Sequence, residues 1–389
     1  ALMAGCHLIY HAYRKYEVHQ LKKKILINYI CEVNYPSSSA YSIHVLKMCD
    51  ALKSKNTKIN LIAPHKSIKL QILKKNYKIK NRINFISIFK KKSNINFLIR
   101  ILFSLKILKN KQVNLDKNSF FISRSVLFAL VASIFNKKII LELHHELSGM
   151  TKFVYYLLKK SNLLKNLRYI FIHKNLIKIF TPPKNKFICL DDAVNISDFK
   201  LNVNIKKFKK TCVYVGSFHK GKGVELIFKI AQKLKNINFH LYGDKKFLDK
   251  NIIPKNIKIF NYINYKDIPK TLLRYDIALM PYGNWVSGRL KKINLVKSMS
   301  PLKMFDYLAS SNIIIASDLN VYKHILKHQY NSILVNNSRI NEWITWIEKI
   351  IKSKKGFAYI KRNALKTAKN HTWIKRSKNI IEFANKEFL

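Results

Sequence analysis

Two histidines held between two glutamates are the first residues in this sequence that can do chemistry. Glu142-Leu143-His144-His145-Glu146 follows the apolar run 139–141. An imidazole changes protonation near neutral pH, so a histidine beside a carboxylate can move a proton or orient a hydroxyl. Three adjacent residues of this kind cannot all turn towards one ion. The reading is therefore an acid/base or substrate-positioning site, with Glu142 and His144 as its members and no metal. A second cluster is Gly216-Ser217-Phe218-His219-Lys220-Gly221-Lys222-Gly223, which holds three of the nine glycines. Glycine lets backbone approach a ligand closely, and Lys220 and Lys222 add point charges. That suits phosphate. The plain alternative is a tight turn carrying surface lysines, and the pattern is neither a Walker A loop nor GxGxxG.

Ser300-Pro301-Leu302-Lys303 reads as a helix start, with Ser300 at the N-cap and Pro301 in the first turn. Free amides at Leu302 and Lys303, with the Lys303 ammonium, can hold a diphosphate. Asp306 lies one turn further on, on the same face, where a carboxylate can accept both hydroxyls of a sugar diol. A simple Lys303–Asp306 helical pair is the alternative. Finally, Tyr35-Pro36-Ser37-Ser38-Ser39 offers another helix start, with Ser39 as cap.

Each of these loops sits where a strand hands over to a helix. Residues 24–31 (KILINYIC) form a short run rich in β-branched side chains, which predicts a buried parallel strand. A helical pattern follows at 40–55 and a second strand at 59–63, so the chain opens on a βαβ unit. Further strands are predicted at 83–86, 120–122 and 139–143. Residues 195–210 lose apolar periodicity and read as a linker. A second alternating set follows: strands at 211–215, 238–242, 257–261, 277–280, 313–316 and 332–335, with helices at 224–234, 268–275 and 301–309. The expected organisation is an extension over 1–22, an acceptor-side α/β domain over 23–200, a second α/β domain over 201–370, and a last helix over 371–389 packing back on the first domain. Two such sheets enclose a cleft, and their ligands sit outside the carboxyl ends of the strands.

Charge is the outlying property. Lys+Arg number 74 against 20 Asp+Glu, a net +54. A field of this size attracts polyanions and anionic membrane surfaces. Lysine is spread over nearly every segment and only ten residues are Arg, which argues against a dedicated reader of nucleic-acid bases. Five cysteines at 6, 31, 49, 189 and 212 make no CxxC or zinc spacing, which fits a reducing, cytoplasmic compartment. Residues 1–22 are not read as a signal peptide, and no run of 18 uncharged apolar residues predicts a membrane span. The run 97–108 (FLIRILFSLKIL) reads either as a helix lying on a membrane surface or as a core-facing amphipathic helix.

Taken in order, four stretches carry a resemblance: KILINYICEVNYPSSSAYSIHVLKMCDAL, LELHHEL, DDAVNISDF, and YVGSFHKGKGVELIFKIAQKL with SPLKMFDYLASSNIIIASDL. The chain resembles glycosyltransferases of the GT-B fold, most of all family 4, from about residue 23 to the end. The resemblance implies two Rossmann-like domains across a cleft. It makes Lys222 the lysine that binds the donor diphosphate, Asp306 the ribose ligand, and Ser300, Pro301, Leu302 and Lys303 the loop and helix start against the diphosphate. His144 becomes the histidine near sugar and acceptor. Gly216, Gly243, Tyr262 and Ile263 line the donor site, and Pro281 and Tyr282 match a strand-end pair before the donor loop. Four positions depart from the family pattern. Ser217 stands where an Arg is expected, with Lys220 as a substitute charge, and Ser298 stands where a Glu is expected. Asp306 is shorter than the family's Glu, and His324 occupies a position that is commonly Glu.

The expectation is an enzyme that moves a sugar, with retention, from a nucleotide-sugar to a saccharide or polyprenyl-linked acceptor near Ser37, Ser38, Ser39, Glu142 and His144. It would use no metal or cofactor and would serve cell-envelope polysaccharide or lipopolysaccharide synthesis. Lys222, Lys303 and His144 would carry the catalysis. One competing reading is a catalytically degenerate GT-B protein that binds polyanions. Another is a different GT-B enzyme, an epimerase or a phosphorylase.

Overall fold

The computed structural model describes residues 24–92, 94–113, 116–200, 205–248, 253–286 and 293–389. The predicted 1–22 extension lies outside them. Two parallel sheets organise the chain. The first joins β1 (Ile25–Ile30), β3 (Thr57–Ala63), β5 (Asn84–Ser87), β6 (Ser119–Ser123), β7 (Ile139–Leu143), β8 (Leu167–Phe171) and β9 (Phe187–Cys189) in the order β5-β3-β1-β6-β7-β8-β9. Two-residue strands β2 (Asn34–Tyr35) and β4 (His65–Lys66) pair beside it. The second sheet joins β10 (Thr211–Val215), β11 (Asn238–Tyr242), β12 (Ile257–Phe260), β13 (Ile277–Met280), β14 (Ile313–Ser317) and β15 (Ile333–Val335) in the order β12-β11-β10-β13-β14-β15.

Helices cover both faces of each sheet. In chain order they are α1 (Ala40–Leu52), α2 (Leu70–Tyr77), α3 (Phe97–Leu108), α4 (Val126–Ile134), α5 (Gly149–Lys160) and α6 (Lys174–Phe180) around the first sheet. Around the second are α7 (Val224–Lys233), α8 (Ile268–Leu272), α9 (Leu302–Ala309), α10 (Ile340–Lys352) and α11 (Ala358–Asn370). The last helix, α12 (Trp373–Phe388), runs back to pack on α1, and its Trp373, Ile380, Phe383 and Ala384 enter the core beside the first sheet.

The strand order decides where ligands can go. β1 lies between β3 and β6, and β10 lies between β11 and β13. At those two switch points the connections leave in opposite directions and open a crevice beyond the strand ends. Register in the first sheet is pinned by polar rungs. Asn28, Asn60 and Asn84 face each other on β1, β3 and β5, with Asn60 Nδ2 donating to Asn28 Oδ1 at 2.8 Å and Asn84 Nδ2 to Asn60 Oδ1 at 2.9 Å. A one-residue slip would turn these amides to the other face and strand them.

The predicted strands are present, most within a residue or two at their ends. β8 and β9 were not foreseen: LRYIF carries an Arg in a five-residue run and FIC is only three residues long. The helix predicted over 268–275 stops at Leu272. Asn312 Nδ2 donates to the carbonyls of Leu272 and Tyr275, which takes the chain out of the helix and into β13.

Candidate active site

Tyr262, in the loop after β12, reaches across to the serine loop that precedes α1. Its hydroxyl donates to the carbonyl of Ser38 at 2.9 Å. The serine loop itself is a tightly closed cap. Ser39 Oγ accepts the amide of Ser42, as an N-cap should, Ser37 Oγ donates to Ser39 Oγ at 3.0 Å, and Tyr77 bonds the backbone of Ser37.

On the second domain, Lys303 extends from the first turn of α9 to lie against Gly216. A Cβ built on Gly216 would meet Lys303 Nζ at 2.5 Å, so glycine is what leaves room for the amine. Lys303 Nζ sits 3.8 Å from the Tyr214 ring and 5.3 Å from the Tyr282 ring, buried and with no hydrogen-bond partner among the described residues. Burial, with the Lys222 charge beside it, pushes Lys303 well below the usual amine range. Lys222 lies 4.8 Å from the same Tyr282 ring, and burial brings it down to about 8. Two amines held together over aromatic faces, with no carboxylate partner among the described residues, suit a dianion, whose charge would hold both protonated. Gly223 (φ +82) sets the approach: a Cβ there would lie 1.7 Å from the Pro281 carbonyl, so the loop and the Pro281–Tyr282 strand end close together only through glycine. A Cβ on Gly243 would lie 2.4 Å from the Gly216 carbonyl.

Asp306 is buried behind Lys303. Burial pushes its carboxyl up to about 7; Lys47 opposes the shift, and Asp198 and Asp192 add to it. Lys47 comes from α1 in the other domain and bonds Asp198 Oδ2 at 3.1 Å. Ile263 is half-buried against the second core, and Leu302 packs against the first-domain core. The start of α9 is thus in contact with both domains.

On the first domain, Glu142 is only 2 % exposed at the end of β7. Its Oε1 faces three groups: His144 Nε2 at 2.9 Å, Arg376 Nη2 at 2.9 Å and His44 Nε2 at 2.7 Å. Oε2 accepts from Tyr29. Burial alone would raise this carboxyl, but His44 and Arg376 overcome it and hold it well below the usual range. His144 is half-buried, and burial aided by the Arg124 charge brings it down to about 3. The imidazole is therefore neutral at working pH. Its Nε2 hydrogen goes to Glu142, which leaves the Nδ1 lone pair as the acceptor. His44 also bonds Asp192 Oδ1 at 2.5 Å, and the Asp192 amide donates to Ser300 Oγ at 3.0 Å. A run of direct contacts thus leads from His144 through Glu142, His44 and Asp192 to Ser300, three residues before Lys303.

Three sequence expectations need correction. Ser300 does not cap α9: Pro301 holds the N-cap position, and Ser300 Oγ instead donates to Asp191 Oδ1 and accepts from Asp192. The hinge carboxylate and amide offer stronger partners than one more free helix amide. Lys220 stands exposed on its loop rather than beside Lys222 and Lys303, and Ser217 contributes its carbonyl, which accepts from Tyr214. Glu142 is sealed inside the protein, so it reaches an acceptor only through His144. Sequence reading also missed His44, Lys47, Asp192 and Arg376. The available signal was α1 itself: His44, Lys47 and Asp50 recur at every third position of a helix buried all round from Ser42 to Cys49.

His44, Glu142 and His144 place one ligand atom each within 4.8 Å of one another. The donor set fits a cation poorly. The shared Oε1 already faces Arg376, so an ion there would meet a guanidinium.

Residues 196–369 match the family model of glycosyl transferases group 1. The fold is shared with solved glycosyltransferases over nearly the whole chain. One from Rickettsia africae superposes with a TM-score of 0.70 at 14 % identity, covering 94 % of this chain and 98 % of that one. The chain has the GT-B fold. HepE of Anabaena, solved with UDP and glucose, gives a TM-score of 0.69 at 12 % identity, covering 93 % of this chain and all of that one. WaaG, a glycosyltransferase involved in lipopolysaccharide biosynthesis, gives 0.62 at 10 % identity over 91 % of this chain and 98 % of that one. No curated protein matches the sequence. The region matched by the family model begins at Ile196 and ends just before α12.

Proposed function

We propose that this protein is a glycosyltransferase, which takes a sugar from a nucleotide-diphosphate donor and passes it, with retention, to a saccharide or lipid-linked saccharide of the cell envelope. The observation that carries the reading is the buried, unpartnered Lys303 amine packed beside Lys222 at the mouth of the β10 loop. Among the described residues neither lysine has a carboxylate to neutralise it, so a diphosphate is the natural occupant. Its departure from the sugar would be stabilised by both ammonium groups and by the free amides at the start of α9, an electrostatic role that needs no metal. Asp306, one turn deeper, would accept the ribose hydroxyls. Tyr262 and the serine loop would close the cleft so that water is excluded and transfer outruns hydrolysis. His144, with its Nδ1 lone pair, would orient the acceptor hydroxyl. HepE was solved with UDP and glucose, which supports a uridine nucleotide as the first donor to try. The basic surface supports work beside an anionic membrane.

The test is thermal stabilisation of the full chain by a panel of UDP-, GDP-, ADP- and CMP-sugars, repeated with Lys303→Ala and Asp306→Ala. A saturable shift from one donor, lost in both variants, supports the proposal. No shift with any donor, together with salt-sensitive nucleic-acid binding, overturns it in favour of a degenerate polyanion-binding protein.

A further inference from the structure

One half-buried guanidinium of the first domain is left without a protein partner. Arg124 is the first residue beyond β6, the strand that lies between β1 and β7. Its amide donates to the carbonyl of Ile30, at the end of β1, at 3.0 Å. On the other side Ser123 pairs with Leu141 of β7, so Arg124 comes level with Glu142, two residues before His144. The Arg124 side chain leans on α1: its guanidinium carbon sits 4.0 Å from the centre of the Tyr41 ring. That ring is itself pinned, because the Tyr41 hydroxyl accepts the Glu32 amide at 3.2 Å. After burial, the Arg124 charge is the next cause that holds the His144 imidazole below its usual range, which sets the two side chains in one crevice.

The carboxylates of this crevice are committed elsewhere. Glu32 Oε1 accepts from Arg100 Nε at 2.8 Å and from Ser125 Oγ at 2.5 Å. Glu142 serves His44, His144, Arg376 and Tyr29. Among the described residues no carboxylate, carbonyl or hydroxyl meets the Arg124 guanidinium. The other arginines of this half are not left so. Arg100 holds Glu32 and Arg168 holds Glu387, while Arg376 spends its donors on Glu142 and on the carbonyls of Asp191 and Leu190. A guanidinium stacked on a ring keeps its fork in one plane and stays charged at every working pH. With its N–H donors unspent, it suits a ligand oxyanion.

We propose that Arg124 and Tyr41 form a subsite for a singly charged oxyanion carried by the acceptor, beside the hydroxyl that His144 orients. The acceptor class is then an acidic saccharide, bearing a sugar carboxylate or a phosphodiester. One unpaired guanidinium balances one negative charge. A phosphomonoester dianion fits less well, because Arg100 and Arg376 are already paired. The place of this subsite in a reaction rests on the acceptor role given to His144 above, whereas the anion contact itself does not.

The full chain is titrated with methyl glucuronide, with dimethyl phosphate and with methyl glucoside, and the ring signals of His144 are followed by NMR at neutral pH. The glucuronide and the glucoside differ chiefly in the carboxylate. At least one of the two anions is expected to move the His144 signals saturably, with an affinity about tenfold or more above that of the glucoside. The tighter anion names the group. Arg124→Met keeps an apolar stem over Tyr41 and removes the charge, so anion affinity is expected to drop to the level of the glucoside. Arg124→Lys keeps the charge without the fork and is expected to fall between the two. Equal affinity for the anions and the glucoside in the native chain overturns the proposal. So does native anion affinity in both variants, and so does the absence of any saturable shift. If Arg124→Met does not fold, Arg124→Lys decides alone, by weakening the anion or leaving it unchanged. The donor-induced thermal shift is measured alongside. A donor shift without anion binding strikes the subsite and leaves the transferase reading; anion binding without a donor shift does the reverse.

Discussion

Arg376 Nη2 donates to Glu142 Oε1 at 2.9 Å and so joins the last helix of the chain to the carboxylate that holds His144. The same guanidinium donates from Nε to the Asp191 carbonyl at 2.9 Å. One side chain therefore fixes both the histidine support and the hinge. Glu142 is buried, and a buried carboxylate stays ionised only when several donors face it.

Arg376→Lys keeps the charge and loses the fork. Transfer turnover is expected to fall by at least tenfold, while affinity for the nucleotide donor stays within about twofold. A second reading is the His144 titration, followed by NMR. Arg124→Met removes the positive charge that lowers the ring, so the His144 pKa is expected to rise from about 3. A His144 pKa that does not move in Arg124→Met would show that this guanidinium plays no part in setting the ring's state.

Donor binding should be bounded on both sides of neutral pH. Asp306, raised to about 7 by burial, loses its charge as pH falls through that value and with it much of its capacity to accept hydroxyls. Lys222, lowered to about 8 by burial, loses its charge as pH rises through that value. Affinity for the donor is expected to be greatest between these values and to fall about tenfold per unit beyond each limb. Titration calorimetry across pH 5–10 checks it. Asp306→Asn should flatten the acid limb and leave the alkaline one. A profile flat from pH 6 to 9 would remove both residues from the donor site.

Two glycines a few residues apart should behave differently. A Cβ at Gly216 (φ +153) meets first the flexible end of Lys303, so Gly216→Ala is expected to cost less stability than Gly223→Ala and to weaken donor binding about tenfold. A Cβ at Gly223 meets the Pro281 backbone at a positive φ, so Gly223→Ala is expected to destabilise the domain by about 1–3 kcal/mol, read from a urea midpoint. Equal effects on stability would mean that the two loops yield equally.

The sheets were legible because a buried parallel strand leaves a mark on its own residues. TCVYV, NFHLY and IALM are apolar runs that need no distant partner to be noticed, and all three are strands. The loops at the switch points were legible for the same reason, since each follows such a run. What stayed hidden was long-range. Nothing near Arg376 in sequence points to Glu142, and nothing near His44 points to Asp192, which lies 148 residues away. Ser300 was misread because the local signal was real: Ser-Pro does open a helix, but a hinge carboxylate brought there by the fold takes the hydroxyl first. Glu142 was assigned to the open side of the site because sequence spacing does not tell a strand's inward residue from its last exposed one.

The return of α12 to the first domain has a consequence for how the protein is made. Trp373, Ile380 and Phe383 fill the core against α1, yet they leave the ribosome roughly three hundred residues after α1, which at about 5–20 residues per second is a delay of tens of seconds. Until then the first-made domain has a groove in place of a wall. The second domain meanwhile has all of its sheet, from β10 to β15, before α12 exists. The later half of the polypeptide is therefore the first that can finish folding, and the nascent earlier half needs shielding until its own last helix arrives.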